Sequence, residues 1–424
     1  MRTQVAIVGG GPAGSACAIF LARLGISSVI IEKETFPRFH IGESLTGGSG
    51  DLIREMGLED RMASLGFPVK HGIWGHGPTG FTPFWVPIKT RETATSELCE
   101  TFAWQVRRST FDDMLLGEAR ECGATVIQGT AHEPVFADGD RAAGVEVTLP
   151  DGSATRITCE VLIDASGQRT FLANEGVTGA KHRGRYSRQV AIYSHFTGAI
   201  RDTPQWGNIL TFFKNKHYWS WFIPLDEART SIGFVVPGEY YRSRGESKED
   251  FITRELNEFN SNLAGRVENV TRVEDVRATS NYSYHVDNFT GNGWLCVGDA
   301  HRFVDPLFSF GLNIGMAEAR EAAGVIRAYL AGEARDTGHP FGAFERWADR
   351  GLDRAQTMLD GFWETTFYFG MLVRKFEDNF IDLFAGRLWD DDEYPAIVAM
   401  RERLANHFAT GGDQNGSGAD LVNR

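Results

Sequence analysis

Apolar residues run unbroken through VAIV at positions 5–8, give way to GGGPAG, return at helical spacing in CAIFLARLG and close with VIIE at 29–32. An apolar run, a glycine turn, a stripe repeating every three or four residues and a second run predict strand, turn, helix and strand, a βαβ opening. Further along, the pattern predicts a helix over 110–121 stopped by Gly123, then a strand over 125–128. Alternating runs at 145–149 and 155–164, joined at Asp151-Gly152, complete a predicted three-stranded meander on the parallel sheet. Between about 185 and 236 the runs VAIYSHF, ILTFF, YWSWFIP and TSIGFVV read as a second, mostly antiparallel layer, and 248–264 reads as a helix. WLCVGD at 294–299 returns as a strand to the first domain, the chain is largely helical from 313 to about 407, and TGGDQNGSGAD has the composition of a flexible tail.

The glycine turn is the first place where the pattern points to chemistry. Gly9, Gly11 and Gly14, with Pro12 and Ala13 between, satisfy GxGxxG, and Glu32 ends the second strand 18 residues beyond Gly14. Such glycines let a backbone approach a pyrophosphate at a helix N-terminus, while the acid takes ribose hydroxyls. Strand, helix, second strand and terminal acid follow in register, which identifies a dinucleotide site.

Composition narrows the class. The 424 residues carry 43 basic and 56 acidic side chains, a net charge of −13, which argues against a nucleic-acid partner. The 48 glycines, about 11% against a usual ~7%, imply many close backbone approaches. Five scattered cysteines without a CxxC predict neither a disulfide frame nor a zinc site, so they are expected reduced and mostly buried. The first apolar run breaks at Gly9 and no stretch reaches the ~18 apolar residues of a membrane span, so no membrane association and a cytoplasmic location are expected. No metal site is expected: His71 and His76 lack suitably spaced acids, and the acidic run at 390–393 reads as a solvated helix cap.

At the far end, Gly298-Asp299-Ala300 follows the strand at 294–297. With EKETFPRFHIGES (32–44), RRSTFDDML (107–115) and DASGQ (164–168), it resembles the FAD-dependent monooxygenases of the aromatic hydroxylase superfamily over most of the chain. The resemblance implies an α/β fold: a Rossmann-like FAD-binding domain intergrown with a mostly antiparallel substrate-binding sheet, plus C-terminal helices. The expected boundaries are 1–184 with 274–330 for FAD, about 65–105 with 185–273 for substrate, a helical region over 331–407 and a tail over 408–424. It further implies that Asp299 holds the ribityl chain and that Lys33, Arg38, Glu43, Ser44 and Arg108 join the FAD site. Within the superfamily the chain is most similar to the flavin-dependent halogenases: Trp219-Ser220-Trp221-Phe222-Ile223-Pro224 fits WxWxIP, and GRLWDDDEYPAIVAMRERL is similar to the tail of members acting on pyrroles and phenols. Lys70, in GFPVKHG, stands where that branch keeps its catalytic lysine.

One segment departs from that branch. Where its members read DPxFSSGVHLA, this chain reads Asp305-Pro306-Leu307-Phe308-Ser309-Phe310-Gly311-Leu312-Asn313-Ile314-Gly315. Phe310 replaces a small residue beside the expected halide and supplies no donor to it. The Gly311-Leu312-Asn313 stretch resembles the GLNxG of ring hydroxylases, whose amides face the flavin pyrimidine. The expectation is therefore a hydroxylase that uses FAD, reduced by a partner reductase or NAD(P)H, and O₂ to oxygenate an indole, phenol or pyrrole, free or borne on a peptide or carrier protein. Lys70, Ser309 and Phe310 are its expected catalytic residues, and Trp219, Trp221, Phe308 and Trp363 its substrate pocket. A halogenase acting through HOCl and Lys70, and a flavoprotein without oxygen transfer, stand as alternatives.

Overall fold

The computed structural model describes residues 1–78, 83–92, 95–137, 139–202, 204–280, 283–333, 338–390 and 392–410. Position 391 of the acidic run and most of the expected tail lie outside the described residues. The chain forms two compact units, each assembled from three separated stretches.

The first unit comprises residues 1–42, 108–183 and 284–353. Its six-stranded sheet runs in the order Thr290–Gly291, Trp294–Cys296, Val161–Asp164, Val5–Val8, Ser28–Glu32, Thr125–Gln128. The pairs are parallel except the outermost, Thr290–Gly291 against Trp294–Cys296. Strands buried on both faces read as continuous apolar runs rather than alternation, which is why VAIV and SVIIE are buried throughout. Helices Pro12–Arg23, Arg108–Glu121 and Gly311–Leu330 belong to the same unit. The meander differs from the sequence expectation. Its strands are Thr130–Ala137, Arg141–Thr148 and Ala154–Thr158, whereas 125–128 and 161–164 extend the parallel sheet. Pro134 and the bulges within Thr130–Ala137 masked that strand's alternation.

The second unit comprises residues 43–107, 184–283 and 354–424. Its sheet runs Thr271–Arg272, Gln189–Thr197, Arg229–Pro237, Tyr218–Pro224, Ile209–Asn215, Gly72–His76, Phe84–Pro87, with Arg277–Ser280 also pairing Gln189–Thr197. Only Ile209–Asn215 with Gly72–His76 is a parallel pair. Phe212, Phe222, Ile232 and Phe234 point to one face, where Phe251, Ile252 and Leu256 of helix Lys248–Glu258 complete a core. Ser247 caps that helix by accepting from the Asp250 N–H. The expected single helix over 248–264 is broken, because the Asn260 side chain accepts from Asn262 N–H and starts a separate turn, Ser261–Ala264. Helices Thr366–Lys375, Glu377–Ala385 and Pro395–Ala409 follow in this unit. The observed α/β architecture with C-terminal helices is the expected fold class.

Among the described residues no helix is long and apolar enough to cross a membrane. Cys17, Cys159 and Cys296 are buried free thiols, Cys122 is half-buried and Cys99 exposed.

Candidate active site

In the first unit, glycine shapes the turn after Val5–Val8. Gly9 has φ +106°, and a Cβ on Gly14 would stand 2.0 Å from the Gly9 carbonyl oxygen. Gly11 precedes helix Pro12–Arg23, which opens with proline and has no side-chain cap. A Cβ on Gly11 would meet only the Arg38 guanidinium, at 3.5 Å. The turn therefore offers open backbone and a nearby cation, a cradle that suits a pyrophosphate. The buried Glu32 carboxylate accepts from Gly10 N–H and Glu34 N–H, both at 2.7 Å, so the acid is fixed against the glycine turn. Lys33 is exposed beside Glu34.

Arg38 and Arg108, both expected at the cofactor, converge on one carboxylate that sequence reasoning missed. Asp112 accepts from Arg38 Nη1 at 2.8 Å and from Arg108 Nε at 2.7 Å. Arg108 also donates to the Ile41 and Gly42 carbonyls, tying the 32–44 loop to the helix. His40 in that loop is exposed, its Nδ1 2.6 Å from the Ile41 carbonyl oxygen.

Three motifs far apart in sequence touch. A Cβ on Gly315 would stand 3.1 Å from Ala13 Cβ, and one on Gly298 would stand 3.3 Å from the Gly315 α-carbon. The first helix start, the turn carrying Asp299 and the helix Gly311–Leu330 are thereby packed backbone to backbone. Burial pushes the Asp299 carboxyl up to about 7, against the Arg108 charge and with that of Glu318. Glu318, also unforeseen, accepts from Gly298 N–H at 2.6 Å and pairs with His301 Nε2 at 3.0 Å, holding the turn from below. A buried acid in an otherwise apolar helical stripe was the available signal.

Ahead of helix Gly311–Leu330, Asp305 accepts from Leu307 N–H, and burial pushes its carboxyl up to about 7. Ser309 adopts φ +61°, a left-handed conformation unusual for a side-chain-bearing residue. Phe310 is 3% exposed and packs on Phe308 with ring centroids 5.8 Å apart. The helix starts without a side-chain cap, and the space where a Gly311 side chain would stand is empty to 4 Å. Leu312 is half-buried and Asn313 is buried.

The second unit holds Lys70, with no exposed surface. Its Nζ donates to Ser44 Oγ at 2.9 Å and to the Leu45 carbonyl at 2.7 Å. Residues 103–105 hold the pair together: Val69–Lys70 pairs Ala103–Trp104, and Ser44 forms an isolated bridge with Gln105. Burial alone lowers the Lys70 ammonium to about 7. Glu43, next to Ser44, pairs with His195 Nε2 at 2.8 Å, both side chains being buried. Trp219 and Trp221 are buried neighbours, rings 5.8 Å apart, and Trp221 Nε1 donates to Ser231 Oγ. Trp363 packs against Phe213, the cross-strand partner of Trp219, so these aromatics line the sheet face opposite the core. His76 stacks on Phe212 and His71 lies by Phe102.

A family described as the FAD binding domain matches residues 2–348. The 1H-pyrrole-2-carbonyl-[peptidyl-carrier protein] brominase of Pseudoalteromonas luteoviolacea is 35% identical, over 95% of this chain and 97% of that protein. The chain belongs to the flavin-dependent halogenase branch of the FAD-dependent monooxygenases. The corresponding chlorinase of Pseudomonas fluorescens is 27% identical over 95% of this chain and 93% of its own length. The solved structure of the flavin-dependent brominase Bmp2 superposes with a TM-score of 0.89 at 34% identity, covering 97% of this chain and 100% of that one.

Membership makes the protein an FAD-dependent oxidoreductase, and it corrects the expectation of ring hydroxylation: the similar proteins named above are halogenases. That expectation rested on the Phe310 side chain and on the likeness of residues 311–315 to the GLNxG of ring hydroxylases. In the structure the ring packs on Phe308, and the helix beginning at Gly311 starts without a side-chain cap. Main-chain donors meet an anion's charge without help from a side chain.

Proposed function

We propose that this enzyme halogenates an electron-rich aromatic ring, a pyrrole presented as a thioester on a carrier protein. The relatives named for that reaction support the substrate class. The observation that carries the reading is Lys70, an amine sealed from solvent and aimed by two oxygen acceptors.

Reduced FAD, when bound, supplies with O₂ the two-electron oxidising equivalent that turns halide into hypohalous acid. Gly9, Gly11, Gly14 and Glu32 would hold its adenosine end and Asp299 its ribityl chain, in the cradle described above. The chain's one recognised dinucleotide turn is thus assigned to FAD, which favours a partner reductase as the source of reduced flavin. First-turn amides at Gly311 would face the halide.

Lys70 would receive the hypohalous acid and present it to the ring. With its proton affinity lowered to about 7, both forms of the amine are populated near neutrality. The ammonium donates a hydrogen bond to the hypohalous oxygen, and the neutral amine accepts the halogen. Ser44 and the Leu45 carbonyl hold Nζ in one orientation for either event. The ring carbon takes the halogen as a cation equivalent, its hydrogen leaves as a proton, and the hydroxide departs as water. Trp219, Trp221 and Trp363 would wall the ring away from water.

The test is product mass from purified enzyme, FAD, a flavin reductase, NADH, O₂ and a carrier protein loaded with pyrrole-2-carbonyl, with and without bromide or chloride. Halogenated pyrrole appears only with halide, and Lys70→Ala abolishes it while binding FAD as the wild type does. Oxygenated pyrrole formed without halide would overturn the proposal.

A further inference from the structure

Helix Thr366–Lys375 has two apolar faces, and only one has a partner among the described residues. Inward, Phe369 and Leu372 are buried, with Phe369 packed edge-on against Phe362 and Phe380. Outward, Phe367 is 84% and Met371 46% exposed, with Gly370 between them on the same face. Burying one large apolar side chain is worth about 1.5–3 kcal/mol, so a phenyl ring and a thioether exposed together on one helix face form a surface that gains by being covered.

The surrounding charge says what kind of surface that is. The sequence TFYFGMLVRK contains no acid and ends in Arg374 and Lys375. Arg403 reaches in from helix Pro395–Ala409, its guanidinium 5.7 Å from the Tyr368 ring centroid. None of Arg374, Lys375 and Arg403 is in an ion pair among the described residues. Glu364, the one acid lining this shallow cavity of about 460 Å³, is neutralised by Lys216 Nζ at 2.7 Å. In a chain of net charge −13, three uncommitted cations around an exposed phenyl ring form a local exception.

We infer that the face formed by Phe367, Met371, Arg374, Lys375 and Arg403 docks an acidic carrier protein that brings the tethered ring to the enzyme. Apolar anchor and cationic rim are complementary to a partner that offers an apolar side chain among carboxylates, and an arginine- and aromatic-rich patch is the composition of interface hot spots. The inference rests on the carrier-borne substrate proposed above and adds where the carrier sits.

The test compares KM and kcat of the wild type and of Phe367→Glu/Arg374→Glu on the pyrrole-loaded carrier protein and on the pyrrole-2-carbonyl thioester of pantetheine. Neither residue is part of the catalytic or flavin machinery, and both are exposed, so folding is retained. The double variant raises KM for the loaded carrier about tenfold or more, with kcat and turnover of the pantetheine thioester unchanged. Ile200→Glu, at another exposed apolar position, leaves all four constants alone. An unchanged carrier KM in the double variant overturns the docking face while leaving the carrier-borne substrate standing. Turnover of the pantetheine thioester but not of the loaded carrier by the wild type removes the carrier from both proposals. A wild-type dimer dissolved by the substitutions in sedimentation, or wild-type binding to anionic phosphatidylglycerol vesicles lost in the variant, gives the face to self-association or to a membrane and equally overturns the inference.

Discussion

A lysine sealed from water is a poor place for a permanent charge, and the role proposed for Lys70 makes use of that discomfort. Burial lowers its ammonium from the ordinary 10.5 to about 7, because the neutral form loses far less than the charged one on leaving water. The same shift has a consequence for stability. Below about pH 7 the folded and unfolded chains both hold the proton, so the full cost of burying the ammonium is present. Between about 7 and 10.5 the unfolded chain binds more protons than the folded one, and stability from this residue rises with pH. Lys70→Met keeps the stem and deletes the titration. In urea melts from pH 6.5 to 9.5, the wild type gains on the order of 3 kcal/mol relative to Lys70→Met. A difference that stays flat over that range means the amine keeps its solution proton affinity, and the two-form role assigned to it fails. The comparison removes the titration of every other group, since the two proteins share them.

At the scale of elements, the informative position is the start of helix Gly311–Leu330. A methyl group there meets nothing within 4 Å, and alanine is a better helix former than glycine by about 1 kcal/mol. Gly311→Ala therefore folds with unchanged or slightly raised melting temperature. If cofactor and halide approach this helix start, the same methyl lowers FAD content and raises the halide concentration for half-maximal rate. Full flavin occupancy with wild-type halide dependence would place both ligands elsewhere. Glycine turns, buried strands and the motif order were legible because each is local: backbone approach and two-sided burial leave marks within a dozen residues. What joins distant positions was not. Glu43 and His195 meet across 152 positions and Lys70 and Ser44 across 26, and no pattern in either segment announces the other. The weight given to Phe310 has a different origin: its side chain is visible in the sequence, whereas backbone donors, which every sequence shares, leave no mark there.

Across the whole molecule, charge opposes the partner that the proposed reaction requires. A chain at −13 repels an acidic carrier at long range, so productive encounter depends on a small cationic face. Long-range repulsion and short-range attraction respond to salt differently. The Debye length falls from about 30 Å at 0.01 M to about 8 Å at 0.15 M ionic strength, so moderate salt first screens the diffuse repulsion. Close contacts between Arg374, Lys375 or Arg403 and carboxylates are weakened over the higher range. KM for the pyrrole-loaded carrier is then expected to fall or hold level at low ionic strength and to rise beyond it, while KM for the pantetheine thioester stays flat. The titration is run with sodium acetate at fixed bromide, because added halide is itself a substrate. In Phe367→Glu/Arg374→Glu the high-salt rise disappears, since the attraction that salt would screen is already gone. A carrier KM indifferent to ionic strength throughout would show that recognition is carried by the tethered ring alone, and that the exposed helix face contributes nothing to it.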